Sequence, residues 1–310
     1  MLDDAFLADW CDRHLGARPA CVLFSSGHLS EVVAAELADG SRVVIKARPS
    51  DPRIAGCTAV QEHLARAGFP CPKPLAGPVQ ADGLTVTAEA LVSGGTQLPA
   101  DNGAGPFAAL LARLISSAPS PADVPSLAPS PPWAGWDHPG PGLWPDRDDR
   151  GRDLNSTPGP AWVDAVARGV RERLRALAAP LRIGHCDWES QNIRWTAGRP
   201  LAVHDWDSVI AQPETAVVGL AAAVWSAAGA PGEAASIEQT QDFITGYQQA
   251  AGRQWTEPEI QDAWAAGLWV RLFNAKKDAA EGGGPQLDRL ADEVDERLAR
   301  AAIADQDHHR

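Results

Sequence analysis

The sequence predicts an α+β protein of two lobes, an antiparallel β-rich N-terminal lobe over residues 1–92 and a mainly helical C-terminal lobe over 93–310. Three observations predict it. Short β-branched runs separated by turn residues fill the first part, apolar residues recur at helical spacing beyond residue 161, and a Pro-, Gly- and Trp-rich stretch over 116–160 interrupts the two patterns.

After a helix-like opening segment, residues 21–24, 32–37 and 42–47 read as strands, with Asp39-Gly40 as the hairpin turn between the last two. Residues 57–68 carry Val60 and Leu64 on one side of a helix that Gly68 stops, the Pro70 to Pro74 region breaks the chain, and 84–91 alternates like a strand. A helix follows over 106–115. The 116–160 insertion has no sustained period, but Trp133, Trp136 and Trp144 argue that it packs over the C-terminal lobe, because free indoles in water are a liability. From Trp162 a helix places Val163, Val166, Val170, Leu174 and Leu177 on one face, with Arg171, Glu172, Arg173 and Arg175 opposite. At least three helices complete the chain. One opens at Thr256 with Glu259 as a capping box, and one over 286–302 carries Leu287, Leu290, Val294 and Leu298.

The 310 residues are 45% hydrophobic and 22% charged, enough for a large core, and the net charge of −13 argues against a nucleic-acid partner, which wants clustered Lys and Arg. A cationic or neutral ligand fits better. Five scattered cysteines (Cys11, Cys21, Cys57, Cys71, Cys186) contain no C-x-x-C pair and suggest a reducing cytosol; an acidic N-terminus and the lack of a long apolar run predict a soluble cytoplasmic protein with no membrane partner. His28, His63, His138, His308 and His309 have no metal-ligand spacing.

The densest polar cluster on an apolar background is His185-Cys186-Asp187-Trp188-Glu189-Ser190-Gln191-Asn192, followed by Val203-His204-Asp205-Trp206-Asp207. Carboxylates so close to a core need a cation or a hydrogen-bond network, and a divalent metal supplies one. Asp187 with Asn192 five positions on has the D-x-x-x-x-N spacing of a kinase catalytic loop, and Asp205 after an apolar strand stands where a second metal-binding acid belongs.

On these residues the chain resembles the aminoglycoside phosphotransferase family, with its H-G-D-x-x-x-x-N loop and later I-D-W/F segment. The resemblance implies a protein-kinase-like fold and an ATP-dependent enzyme using Mg2+. It implies Asp187 as catalytic base, Asn192 and Asp205 as metal ligands, and His185 as a support of the loop. It further implies Lys46 as the strand lysine of the phosphate site with Glu62 as its helical partner. Ser26 and Gly27 would lie in a phosphate-covering loop over 25–30, and Glu89 to Leu91 would form a hinge reading the adenine. Two departures stand out: Cys186 replaces the glycine of H-G-D, and Ala211-Gln212-Pro213-Glu214 replaces a G-D-P segment, with Glu214 as a substitute acid. Members act on amino-sugars, but also on choline, homoserine, fructosamine or macrolide acceptors, so the small hydroxyl acceptor stays open between these. Trp225, Asp242, Trp264 and Trp269, with Tyr247 and Asn274, are the candidate acceptor-binding residues. A pseudokinase that binds nucleotide without turnover, and a hydrolase using the acids directly, are the other function classes; the second lacks a nucleophile with a base.

Overall fold

The computed structural model describes residues 3–27, 30–99, 103–230 and 233–304. The chain opens with α1 (Asp4–Leu15), capped by the Asp3 carboxylate, which accepts from Phe6 N at 2.8 Å. Five strands follow: β1 (Pro19–Gly27), β2 (Glu31–Leu37), β3 (Arg42–Pro49), and, after helix α2 (Ile54–Arg66), β4 (Pro74–Ala81) and β5 (Leu84–Ala90). They form one antiparallel sheet in the order β1-β2-β3-β5-β4. Asp39 shapes the β2–β3 turn by accepting from Ser41 N at 2.9 Å, while Gly40 takes the positive φ of 83° that the turn requires.

The period of two along β3 decides what the sheet does. Val43, Ile45 and Ala47 face outward from the cleft and are buried under Leu7, Trp10 and Cys11 of α1. Lys46 and Arg48, on the opposite face, are thereby aimed at the second lobe. The strand over 74–81 is an element that the Pro-rich reading did not anticipate; its bulged register against β5 accommodates the prolines at the sheet edge.

The second lobe contains α3 (Ala104–Ser117), α4 (Ala161–Arg175), strands β6 (Leu181–His185), β7 (Ile193–Thr196), β8 (Arg199–Val203) and β9 (Val209–Pro213), then α5 (Glu214–Val224), α6 (Ile237–Ala251), α7 (Glu257–Ala280) and α8 (Pro285–Arg300). Its centre is α5 against α7. Ala216 to Ala223 of α5 are buried all round, and the backbones approach so closely that a Cβ on Gly219 would collide with the Ala263 carbonyl. The capping box Thr256/Glu259 starts α7 as expected, and Glu214, first residue of α5, accepts from Tyr247 Oη at 3.0 Å and from Arg253 at 3.2 Å.

The 116–160 segment is an ordered wall over this lobe. Trp136, Trp144 and Leu154 are buried in its core, and Trp144 packs on Trp269 with ring centroids 5.3 Å apart. Arg171 of α4 holds it from beneath, donating to the carbonyls of Trp136 (2.8 Å), Gly142 (2.6 Å) and His138 (3.0 Å). Asp164, also on α4, accepts from Trp144 Nε1 at 2.9 Å and from Lys276 of α7 at 3.0 Å. Among the described residues, no helix is long and apolar enough to cross a membrane.

Candidate active site

Two short antiparallel pairs, β6 with β9 and β7 with β8, present two loops side by side: residues 186–192 after β6 and 204–208 after β8. Backbone bonds tie the loops together, Cys186 N to Ser208 O at 2.9 Å and His204 N to Asn192 O at 2.8 Å. Inside the first loop, Trp188 is fully buried with Nε1 on the Phe107 carbonyl of α3 (3.1 Å), and Ser190 Oγ donates to Ala227 O (2.7 Å). Anchors on both sides leave Asp187 and Asn192 facing the space between the lobes.

Asn192 Nδ2 donates to Asp187 Oδ2 at 2.8 Å and to the Asp187 carbonyl at 3.1 Å, leaving Asp187 Oδ1 without a protein partner among the described residues. Burial, then the nearby Glu189 and Asp205 carboxylates, push the Asp187 pKa well up. His185 is fully buried and its pKa is pushed down to about 4 by that burial, so the ring is neutral. Its Nε2 faces the carbonyls of His204 (3.1 Å) and Asp205 (3.0 Å), which puts the proton there; Nδ1 then accepts from Asp187 N at 3.3 Å. One imidazole thus ties the two acid-bearing loops. Cys186 has no positive φ, so the loop needs no glycine at this point, and the thiol donates to Ser208 O at 3.1 Å.

Asp205 is held at φ 66° and ψ 49°, a left-handed conformation that a side chain disfavours and that Asp tolerates better than most. This turns its carboxylate out of the strand toward the cleft, where it is 43% exposed and accepts from Lys46 Nζ at 3.2 Å. Burial raises its pKa and Lys46 opposes the rise. Asp207, two residues on, pairs with Arg48 Nε at 3.3 Å. Burial would raise the Asp207 pKa, but Lys46 and Arg48 win and hold it at about 2. Burial likewise disfavours the charged form of Lys46, and Glu89, Asp205 and Asp207 together outweigh it, raising the Lys46 pKa.

The loops and the sheet enclose a cleft of about 1970 Å3. Ser26, Gly27, Val32 and Arg48 line it from the sheet; Asp187, Glu189, Asn192, Asp205 and Asp207 form its floor. The far wall is built by the 116–160 segment, through Trp133, Asp137, His138 and Asp149, and by α7, through Phe273, Asn274 and Lys277. Carboxylates outnumber arginines and lysines among the described lining residues. On the floor, burial lifts the Glu189 pKa to about 7 even though Gln191 hydrogen-bonds it.

The structure redraws several expectations. Glu62 is exposed and points away from the sheet to Arg66 (3.9 Å); the carboxylate of the N-terminal lobe beside Lys46 is that of Glu89, at 3.8 Å, and the buried α2 residue facing it is Gln61. A helix turns about 100° per residue, so the one-residue step from 61 to 62 exchanges the cleft side for solvent. In the segment 89–91, expected to read an adenine through its backbone, the Leu91 N–H is committed to Arg42 O at 2.9 Å, and the Glu89 side chain is engaged by Lys46 and Gln61. Trp225, Trp264 and Trp269 are core residues absent from the cleft lining: Trp225 packs on Phe107, Trp264 lies under Arg300, and Trp269 under Trp144. Asp242 sits on the exposed face of α6 and Tyr247 is buried against Trp255, whereas Asn274 does line the cleft. His28 and Leu29 of the 25–30 loop, and the terminal His308 and His309, lie outside the described residues. Sequence reasoning missed Arg53. Its guanidinium donates to Leu127, Asp207 and Val209 carbonyls at 3.2, 3.0 and 2.8 Å, joining the start of α2, the insertion and the Asp205 loop. It also missed Arg48, although a second cation two residues after Lys46 shares its face by strand period.

The family model described as the phosphotransferase enzyme family matches residues 20–258. No curated protein matches the chain. Among solved structures, the chain is similar to amicoumacin kinase hAmiN in complex with AMP-PNP, Ca2+ and Ami, at TM-score 0.63 and 14% identity over 94% of this chain and 92% of that one. It is similar to a choline/ethanolamine kinase family protein from Mesorhizobium loti, at 0.52 and 17% over 96% and 91%. Spectinomycin phosphotransferase in complex with ADP and spectinomycin follows at 0.53 and 14% over 97% and 94%. At these identities the likeness establishes the fold, which is protein-kinase-like.

Proposed function

The chain belongs to the phosphotransferase enzyme family, and we propose that it moves the γ-phosphoryl group of ATP, bound with Mg2+, to a hydroxyl of a small cationic acceptor of amino-sugar type. The observation that carries this reading is the arrangement of Asp187, Asn192 and Asp205 along one cleft, with Lys46 reaching Asp205 from the sheet at 3.2 Å.

Phosphoryl transfer asks a protein mainly to position reactants and to balance charge. The donor set fits a divalent ion held jointly by protein and nucleotide. Asp205 offers a cleft-facing carboxylate in a surplus of negative charge, and Asn192, whose Nδ2 binds Asp187, keeps its Oδ1 without a partner among the described residues. A Mg2+ ion held by Asn192 and Asp205 would supply positive charge against the negative charge that develops on the phosphates. Lys46 and Arg48 face the same phosphates from the sheet. Asp187 orients the acceptor hydroxyl with its free Oδ1 and takes its proton as the oxygen bonds to phosphorus and the bond to the β-phosphate oxygen breaks, leaving ADP. Asn192 holds that carboxylate in place, and neutral His185 holds the Asp187 backbone.

The surplus of carboxylates along the cleft supports a cationic acceptor, since ammonium groups would pair with acids such as Glu189, whose charged form burial disfavours. The test is Mg2+-dependent ADP release over a panel of amino-sugars, neutral sugars, choline and macrolides, with Asp187→Ala as the control. Turnover confined to amino-bearing acceptors and lost in Asp187→Ala is the expected result. Wild-type turnover by Asp187→Ala would remove the reaction from this site, and turnover of neutral acceptors alone would remove the acceptor class.

A further inference from the structure

Lys46 and Glu89 occupy neighbouring strands of one sheet. Lys46 lies opposite Thr87 and Glu89 opposite Val44, so the two share a face as diagonal neighbours, a spacing of about 7–8 Å that long side chains close. Both are nearly enclosed, with side chains 11% and 10% exposed, and their charged atoms stand 3.8 Å apart. Helix α2 contributes no carboxylate here. It contributes Gln61, buried, whose Nε2 donates to Glu89 Oε2 at 2.8 Å and to the Pro72 carbonyl at 3.0 Å. Together with Trp206 these residues line a cavity of about 20 Å3 behind the cleft.

Asp205 is nearer to Lys46, at 3.2 Å, but it is the more exposed carboxylate and the one that our functional reading assigns to a cation. Once Asp205 is so engaged, Glu89 is the remaining carboxylate within ion-pair distance of a buried ammonium that cannot stand alone. We propose that Glu89 is the positioning residue for Lys46: the lysine's partner is built into the sheet itself, and α2 serves through the Gln61 amide that fixes the Glu89 carboxylate. Lys46 is then aimed at the phosphates by a carboxylate on the adjacent strand, and α2 contributes an amide in place of the ion-pairing acid.

This rests on the functional reading above, and the experiment separates the two. Calorimetry with Mg2+ and a non-hydrolysable ATP analogue is run on the full chain, alongside steady-state kinetics for nucleotide and acceptor; absence of binding by the wild type would remove the functional reading before any variant is compared. Glu89→Gln keeps the shape and a hydrogen-bond acceptor for Gln61. It should weaken nucleotide binding and lower kcat by about tenfold each, and leave the KM for acceptor within about twofold. Glu62→Gln should match the wild type. Gln61→Glu combined with Glu89→Gln returns a carboxylate to the same cavity and should regain most of the lost nucleotide binding. Thermal unfolding accompanies each variant, and Glu89→Asp, which keeps the charge on a shorter stem, replaces Glu89→Gln if that chain does not fold. Wild-type binding by Glu89→Gln, or an equal loss in Glu62→Gln, overturns the proposal. A double variant no better than Glu89→Gln alone overturns it in favour of a purely structural glutamate.

Discussion

Asn192 fixes Asp187 twice with a single amide nitrogen, at the carboxylate Oδ2 (2.8 Å) and at the backbone carbonyl (3.1 Å), which makes the five-residue spacing between them a matter of geometry. The bond to the carboxylate also lowers the Asp187 pKa against the burial that raises it. Asn192→Ala should therefore cost activity by about 10²-fold and move the acid limb of the pH–rate profile to higher pH, because Asp187 works only after losing its proton. A profile recorded with saturating nucleotide checks this; a loss of rate with an unmoved limb would mean that Asn192 acts only elsewhere.

Glu189 gives a pH dependence of stability. Its folded pKa of about 7 lies above its ordinary value of 4.5, so the folded chain binds more protons than the unfolded one between those values. Stability from this group is complete below pH 4.5 and is lost as pH rises through about 7. Glu189→Gln should raise the unfolding temperature at pH 8 and change it little at pH 4.5. Scanning calorimetry at the two pH values tests the sign, and an equal effect at both would contradict it.

Arg171 should matter more to the wall than to the lobe beneath it. Removing its three bonds to insertion carbonyls in Arg171→Ala leaves those acceptors without their charged donor, a loss of about 2–4 kcal/mol. Hydrogen exchange should accelerate across residues 133–145 ahead of the α5–α7 core, with a higher KM for acceptor and an unchanged KM for nucleotide.

Gly219→Ala should be among the most damaging small substitutions. The added methyl meets the Ala263 backbone, which cannot rotate away, so the cost is about 3 kcal/mol or more. Soluble yield and urea midpoint report it; a midpoint equal to that of the wild type would show that α5 and α7 have slack.

Local features were the legible ones. The alternation of β3, the apolar stripe of α4, the Thr256/Glu259 capping box and the Asp187–Asn192 spacing all lie within a few residues of chain, and each recurs in the structure. What the sequence hid depends on how distant pieces meet. Lys46 finds Glu89 across a strand pair, not Glu62 along the next helix, and no local pattern distinguishes the two acids. Trp225, Trp264 and Trp269 sit on helices whose several faces are buried, so periodicity could not tell a cleft-facing indole from a core one. Much of the far wall of the cleft came instead from 116–160, where the absence of a period concealed an ordered segment held by Arg171, a residue that looked like part of a solvated face.

The 116–160 part of that wall is one unbroken length of chain resting on α4 and α7, while the opposite side of the cleft comes from the sheet and from the loops after β6 and β8. The two halves of the cleft are therefore written in different parts of the gene. Exchanging that segment for a counterpart from another member is a single replacement that leaves Lys46, Asp187 and Asp205 untouched, so on the proposed function the acceptor side could be altered as a cassette, without redesigning the machinery that would handle phosphate.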